Sequence, residues 1–350
     1  MNHDWPTAWG VPPGSALIRC QPEDFRVSEE LGFELSGEGE HCFLRLQKRQ
    51  VNTLELVQRL SELSAVPARD IGYSGLKDRN AVTQQWFSVG MAGRTEPDWQ
   101  ALEVSGEVQV LAVGRHLRKL KRGVHRANRF TLILRDLTGE RTLLEQRLRL
   151  LDEAGAPNYF GEQRFGRNGS TLAQARRWIR GRQRISREKR SLYFSALRAY
   201  VFNRMLAQRV ESGEWNTVLP GDVCLLHGTR SLFTCAEVSD DISQRSASGD
   251  LHPGLPLWGQ GTVGARLLEQ QATYLAECRD ICDFLEASGL ELAWRPTRLM
   301  PDDFCWQFCD DGSLRVEFSL GAGCYATALL AELVQYKEGS IKSGISSEQD

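Results

Sequence analysis

The 350-residue sequence contains no run of about 18 apolar residues, so no segment is long and apolar enough to cross a bilayer as a helix. Met1 to Gly10 carries neither a basic cluster nor an apolar core, and no secretory leader is expected. The G-x-x-x-x-G-K-[ST] loop is absent, which excludes a P-loop nucleotidase. Neither H-E-x-x-H nor H-x-E with P-C-x-x-C occurs, and the six histidines show no ligand spacing. Zinc protease and zinc deaminase chemistry are excluded with them. Nine cysteines, an odd number scattered from Cys20 to Cys324, predict reduced thiols and a cytoplasmic protein. Cys278/Cys282 and Cys305/Cys309 have C-x-x-x-C spacing, whereas structural zinc favours C-x-x-C knuckles. The first pair lies in a helical pattern, where a four-residue step is one helix face, so no metal is expected. Gly259-Gln-Gly-Thr-Val-Gly matches a dinucleotide fingerprint. The preceding Pro253-Gly-Leu-Pro-Leu-Trp, interrupted by two prolines, does not read as the strand such a site needs.

What the sequence does contain is globular: 41% hydrophobic and 25% charged residues, in a length that suits one large domain or two ordinary ones. The net charge of −2 conceals a split. Residues 1–204 hold 33 Lys/Arg against 23 Asp/Glu, and residues 205–350 hold 10 against 22. Such asymmetry points to a polyanionic partner. Arg115–Arg129 has seven cations and no acid; Arg164–Arg190 has ten against Glu188 alone, with Phe165 and Trp178 interleaved. Like charges four residues apart on a helix destabilise it by roughly 0.2–0.5 kcal/mol per pair. Phosphates are the natural counter-charge, with Arg118, Lys119, Lys121, Arg122, Arg164, Arg176, Arg177 and Arg180 as backbone-contact candidates. The competing reading pairs these arginines with the acidic second half.

Strand-like alternation at Ala16–Cys20, Phe25–Glu29, His41–Leu46, Trp86–Val89, Val108–Val113 and Phe130–Leu134 surrounds helical periods beginning at Asn52 and Leu143. In the first helix Leu54, Val57, Leu60 and Leu63 form the expected apolar stripe, with Asn52 as its cap. No βαβ rhythm is present, so an α+β fold with a mixed or antiparallel sheet is predicted. Gly155-Ala-Pro-Asn marks a turn and a boundary, a second boundary falls near Leu299, and Ser239–Gly254 reads as a surface loop.

Gly72-Tyr-Ser-Gly-Leu-Lys-Asp-Arg-Asn-Ala-Val-Thr-Gln-Gln-Trp-Phe is the densest cluster of chemically suggestive residues. Its glycines permit close backbone approach, and Lys77 and Arg79 flank Asp78, an arrangement that favours an ionised carboxylate. On its own such a triplet is equally a charged turn. Pro157-Asn-Tyr-Phe-Gly-Glu-Gln-Arg-Phe-Gly mixes aromatics, amides and arginine, suited to base and phosphate recognition or to a packed turn.

Three blocks in order, Pro22-Glu-Asp-Phe-Arg-Val, Gly75-Leu-Lys-Asp-Arg-Asn-Ala-Val-Thr-Gln-Gln-Trp and Asn158-Tyr-Phe-Gly-Glu-Gln-Arg-Phe-Gly, resemble the signatures of the TruD family, tRNA pseudouridine synthases acting on uridine 13. The resemblance runs to about Glu332. It implies a pseudouridine synthase catalytic domain over 1–154 and 300–350, interrupted by an inserted TruD-specific domain over 155–299. It implies tRNA as substrate and no metal, redox or nucleotide cofactor; no protein partner is evident. It carries catalysis onto Asp78 and substrate binding onto Phe25, Lys77, Asn128, Phe130 and Tyr325. Tyr325 stands where the family usually has phenylalanine, and Arg79 where lysine is common. A nucleosidase or glycosylase, and a non-catalytic RNA-binding protein, are the competing functions.

Overall fold

The structure, a computed structural model, describes residues 5–339 except 182, 230 and 271. Two compact units are formed. The sheet unit comprises Gly14–Gly139, Pro301–Gly323 and the segment from Gln335; the helix-rich unit comprises the segment ending at Pro13, Glu140–Met300 and Cys324–Val334.

The sheet unit contains β1 (Ser15–Ile18), β2 (Phe25–Leu31), β3 (His41–Arg49), α1 (Thr53–Ser64), β4 (Gly72–Tyr73), β5 (Val82–Gly90), β6 (Val108–His116) and β7 (His125–Leu134). Two later strands, Asp302–Phe308 and Leu314–Gly321, join them. The main sheet runs in the order 302–308, 314–321, β7, β2, β5, β3, β6, with β4 alongside β5. Only the β2–β5 pair is parallel, so the sheet is mixed, as the absence of βαβ rhythm implies. β1 lies apart, parallel to Gln335–Glu338.

Register sorts the side chains onto two faces. Phe25, Val27 and Glu29 of β2 oppose Leu132, Phe130 and Asn128 of β7, which in turn oppose Val316, Phe318 and Leu320. The same face continues through Thr83, Gln85 and Phe87 of β5 to Lys48, Leu46 and Leu44 of β3. The other face is more polar, though Phe43 is buried there against Phe33 and Trp86; on it Arg45 donates to Ser28 and Gln84.

α1 covers one end of the apolar face. Leu56, Val57 and Leu60 are buried with Leu44, Leu46 and Phe87, while Leu54 is 57% exposed. The expected stripe is therefore rotated. The cause is Thr53, which turns inward to bond Gln85 and the Lys77 backbone and so sets the buried face at 53, 56, 57, 60 and 64. Asn52 precedes the helix, but its side chain makes no capping bond.

The helix-rich unit contains α2 (Arg141–Ala154), α3 (Ser170–Gly181), α4 (Arg187–Glu211) and smaller helices, with a four-stranded antiparallel sheet ordered 232–234, 223–226, 251–257, 293–296. Two expectations fail here. Ser239–Gly254 is not a surface loop: Ser239 caps a helix over Asp240–Ala247, and a buried strand begins at Leu251. That strand, Leu251–Leu257, contains both prolines. Pro253 is tolerated because Thr297 O, its natural acceptor, takes the Asn158 N–H at 2.7 Å instead, while Pro253 O still accepts from Thr297 N at 2.8 Å. Cys278 and Cys282 are buried at the start of helix Arg279–Ala287.

Compactness divides the chain differently from a cut at residues 155 and 299. The carboxylate of Glu332 accepts the N–H groups of Ala8 (2.8 Å) and Trp9 (3.2 Å), and the Trp9 indole donates to Gly155 O at 3.0 Å. Arg147 of α2 donates to the carbonyls of Trp9 and Glu332. These bonds join α2, helix Ala326–Leu333 and the segment before Pro13 to the helix-rich unit.

Candidate active site

Asp78 sits in the loop between β4 and β5, and the loop is held chiefly by its backbone. Lys48, a fully buried side chain of β3, donates from Nζ to Val51 O (2.7 Å) and Asp78 O (2.9 Å). Gln85 donates to Gly75 O, and the Lys77 N–H donates to Thr53 Oγ1 at 3.0 Å. Burial pushes the Lys48 ammonium down to about 8, against the opposing pull of Asp78.

The cation that pairs with Asp78 is not a sequence neighbour. Arg19 Nη2 lies 2.8 Å from Asp78 Oδ2, and its Nη1 lies 2.5 Å from Glu338. Its guanidinium sits 4.1 Å from the Phe25 ring centroid. Arg19 adopts φ 56°, the left-handed region, which turns its side chain sharply off the end of β1. Lys77 instead reaches the fully buried carboxylate of Glu29 at 2.7 Å, and Arg79 donates to Gln50 O at 2.9 Å. Consecutive residues of an extended loop point in different directions, so the flanking cations of the sequence are not the ones at the carboxylate.

Phe25, Phe130 and Phe318 form a buried aromatic row on the same face. Phe130 is stacked on Phe318 (centroids 5.4 Å, 27° between planes) and meets Phe25 edge-on at 6.2 Å. Both packing and recognition of a base are open to this ring, and two substitutions separate them. Phe130→Ala should lose about 3–5 kcal/mol of stability. Phe130→Leu keeps most of the volume, so it should lose less than about 1.5 kcal/mol of stability while turnover falls by the roughly 1–3 kcal/mol of an aromatic–base stack. Thermal melting alongside single-turnover rates is the check; parental turnover in Phe130→Leu would leave the ring with packing alone.

Asn128, on the same face, has a buried Oδ1 to which no described residue donates. Its amide nitrogen lies 3.1 Å from His125 Nε2, while His125 Nδ1 lies 2.5 Å from Ser74 Oγ. With the amide donating to Nε2, the imidazole proton belongs on Nδ1, and the amide is fixed with its oxygen unpaired. An orphaned acceptor of this kind suits a ligand N–H or hydroxyl. Burial and the nearby Lys77 charge hold the His125 imidazole down at about 4, neutral as the arrangement requires. The unfolded chain binds that proton near the ordinary pH of about 6.5, so stability contributed by neutral His125 falls as pH drops from there toward 4. His125→Gln should flatten the fall of melting temperature across that window; an unchanged profile would show that His125 is not buried as a neutral group.

In the helix-rich unit, Tyr325 precedes helix Ala326–Leu333. Its hydroxyl is used: Arg164 Nε donates to it at 2.8 Å, and Arg164 Nη1 donates to Ser195 Oγ at 2.9 Å. Phe160 meets the Tyr325 ring at 6.0 Å. Gly161 is needed here, because a Cβ would meet Tyr325 Cδ1 at 2.8 Å. Arg164, expected on the RNA backbone, is thus already engaged by Tyr325 and Ser195.

The remaining basic candidates divide. Lys119 donates to Arg69 O, Arg122 bonds the Tyr73 hydroxyl, and Arg176 lies 4.6 Å from the Tyr200 ring centroid. Arg118, Lys121, Arg177 and Arg180 are exposed. Among the described residues no cation of Arg164–Arg190 makes an ion pair with a carboxylate. Residue 182 lies outside the described residues.

The family model described as tRNA pseudouridine synthase D (TruD) matches residues 8–182 and 170–333. The chain is 46% identical over 336 residues to a tRNA pseudouridine synthase D of Methylococcus capsulatus, covering 95% of both chains. It is 44% identical to that of Nitrosococcus oceani, covering 94% of this chain and 93% of the other. A solved structure described as TruD from Methanosarcina mazei has the same fold, with a TM-score of 0.68, 19% identity, and coverage of 94% and 95%. The class is that of the pseudouridine synthases, isomerases of RNA. Within it, the chain belongs to the TruD family, whose substrate is tRNA.

Proposed function

We propose that this enzyme isomerises uridine 13 of tRNA to pseudouridine in the cytoplasm, with Asp78 as its catalytic carboxylate. The observation that carries the reading is the Asp78–Arg19 pair, fixed by backbone bonds from a buried lysine on the sheet face that also bears Phe25, Phe130 and the unpaired Asn128 oxygen. Pseudouridine formation breaks the N1–C1′ bond, turns the uracil in place and joins C5 to C1′; N1 gains a proton and C5 loses one. Asp78 serves either as nucleophile at C1′ or as base at C2′. Asn128 Oδ1 would accept the uracil N3–H, Phe130 and Phe25 would form the base wall, and Lys77, neutralised by Glu29, would hold the floor of the loop. Tyr325, with Arg164 on its hydroxyl, would be a further substrate contact. Residues 155–299 would be the inserted domain. Arg176, Arg177 and Arg180, with Arg118, Lys121 and their neighbours, would contact tRNA phosphates, offsetting the few kcal/mol needed to unstack a base.

The test is incubation with unmodified tRNA followed by pseudouridine mapping at single-nucleotide resolution. A signal confined to uridine 13 is expected; modification elsewhere only would overturn the position, and released uracil would make the enzyme a glycosylase.

A further inference from the structure

One cavity of the helix-rich unit is cationic in a way that the Asp78 site does not explain. It has a volume of about 500 Å³ and is walled by one face of α4 and by Phe160, Arg164, Leu257 and Leu290. That face presents Arg187, Arg190, Ser191, Phe194, Ser195 and Arg198, a helical stripe at steps of three and four residues. Four guanidinium groups therefore converge on the cavity, with no carboxylate among the described residues of its lining.

Three of the arginines are oriented by neutral partners, and among the described residues none of the four makes an ion pair. Arg198 donates to the carbonyls of Leu257 (2.5 Å) and Glu291 (2.7 Å), and its Nε is buried without a described partner. Arg164 is held by Tyr325 and Ser195, and Arg190 lies 5.1 Å from the Phe194 ring centroid. Neutral partners fix these cations in place while leaving their charge uncompensated, so an anion entering the cavity removes a repulsion that the fold maintains. A phosphate alone accounts for the charge. It does not account for the rest of the wall, where Phe160, Phe194, Ala199, Leu257 and Leu290 provide apolar surface and Ser191 and Ser195 provide hydroxyls. Apolar walls with a few convergent polar groups, in a volume within the usual 300–1,000 Å³ or so of small-ligand pockets, fit a base and sugar as well.

We propose that this cavity is a second nucleotide-capture site, which takes one everted nucleotide of the tRNA substrate, its phosphate on Arg187, Arg190 and Arg198 and its base against the apolar wall. The proposal rests on the TruD reading of tRNA as substrate. Everting a second nucleotide gives the enzyme a handle on the fold of the tRNA independent of the target uridine.

Two variants at exposed positions on α4 test it. Ser191→Trp fills the cavity without changing charge; Arg187→Gln with Arg190→Gln removes charge without filling it. Both are expected to weaken tRNA binding about tenfold or more, with single-turnover rate at saturating tRNA unchanged and melting temperature close to the parent. Only the Gln pair should flatten the dependence of log K on log salt, by roughly 0.7 for each phosphate no longer engaged. Parental tRNA affinity in Ser191→Trp, beside an active parent enzyme, would overturn the capture site and leave the function standing. A parent enzyme that makes no pseudouridine in tRNA would overturn the function and this site together. Competition by millimolar UMP or AMP that disappears in Ser191→Trp, without any loss of tRNA affinity in that variant, would assign the cavity to a free nucleotide and overturn the tRNA assignment.

Discussion

Asp78→Asn is expected to bind tRNA within about tenfold of the parent enzyme, a difference of about 1.4 kcal/mol, and to form no detectable pseudouridine. The fold should survive the change, because what holds the loop is Lys48 on the Asp78 carbonyl, Gln85 on Gly75 and Thr53 on the Lys77 N–H, none of which uses the carboxylate. Affinity should survive because phosphate contacts supply most of it. Turnover should not, since an amide can neither attack C1′ nor take the C2′ proton. Glu29 on this face is fully buried against Lys77, and Glu338, across the Arg19 guanidinium, is held by that arginine, so neither is placed to substitute. Asp78→Glu restores the charge but shifts it by about an ångström, a displacement that can cost on the order of 10²-fold. Product mass completes the measurement: isomerisation leaves the tRNA mass unchanged. Pseudouridine from Asp78→Asn would end the assignment of this residue.

Loss of Arg19 should have the second-largest effect. Its guanidinium fork holds Asp78 with one nitrogen and Glu338 with another while lying over Phe25. Arg19→Gln removes the charge that orients the carboxylate and should lower kcat on the order of 10²-fold, the scale of a misplaced reacting group. KM should change little, because Arg19 itself is buried, with its side chain 8% exposed. Arg19→Lys, with one point charge instead of a fork, should recover part of the loss. Equal loss in both variants with a lowered melting temperature would mark Arg19 as a packing residue; parental kcat in Arg19→Gln would remove it from the active site altogether.

The strands, the mixed sheet and the position of Asp78 are legible in the sequence because each is written locally: alternation in β2, β3 and β5, and one contiguous motif around Gly75. Arg19 is not, because its partner is 59 residues away and a left-handed backbone aims it. The same limit hides Lys48, Glu29 and His125. Lys48 looks like an ordinary basic residue at the end of a strand, and only the return of the 77–78 loop over it explains its burial. The flanking cations of Asp78 mislead for the converse reason, since adjacency along a chain is not adjacency in space. Pro253 and Pro256 argue against a strand by a rule about missing donors, yet a strand forms because Asn158, far off in sequence, takes the acceptor that Pro253 vacates. The stripe of α1 is displaced by one threonine whose hydroxyl has two polar partners under the helix.

The parallel pairing of β1 with Gln335–Glu338 also has a consequence for the order of events during synthesis. Arg19 leaves the ribosome early, but Glu338, its second partner, follows 319 residues later. Leu314–Gly321, the strand that flanks β7 and supplies Phe318 behind Phe130, is nearly as late. A nascent chain can therefore present the Asp78 motif long before the neighbours that orient it exist. On the proposed reading, Asp78 acquires this setting only once Gln335–Glu338 has paired with β1, so a nascent chain lacking that strand is expected to be inactive.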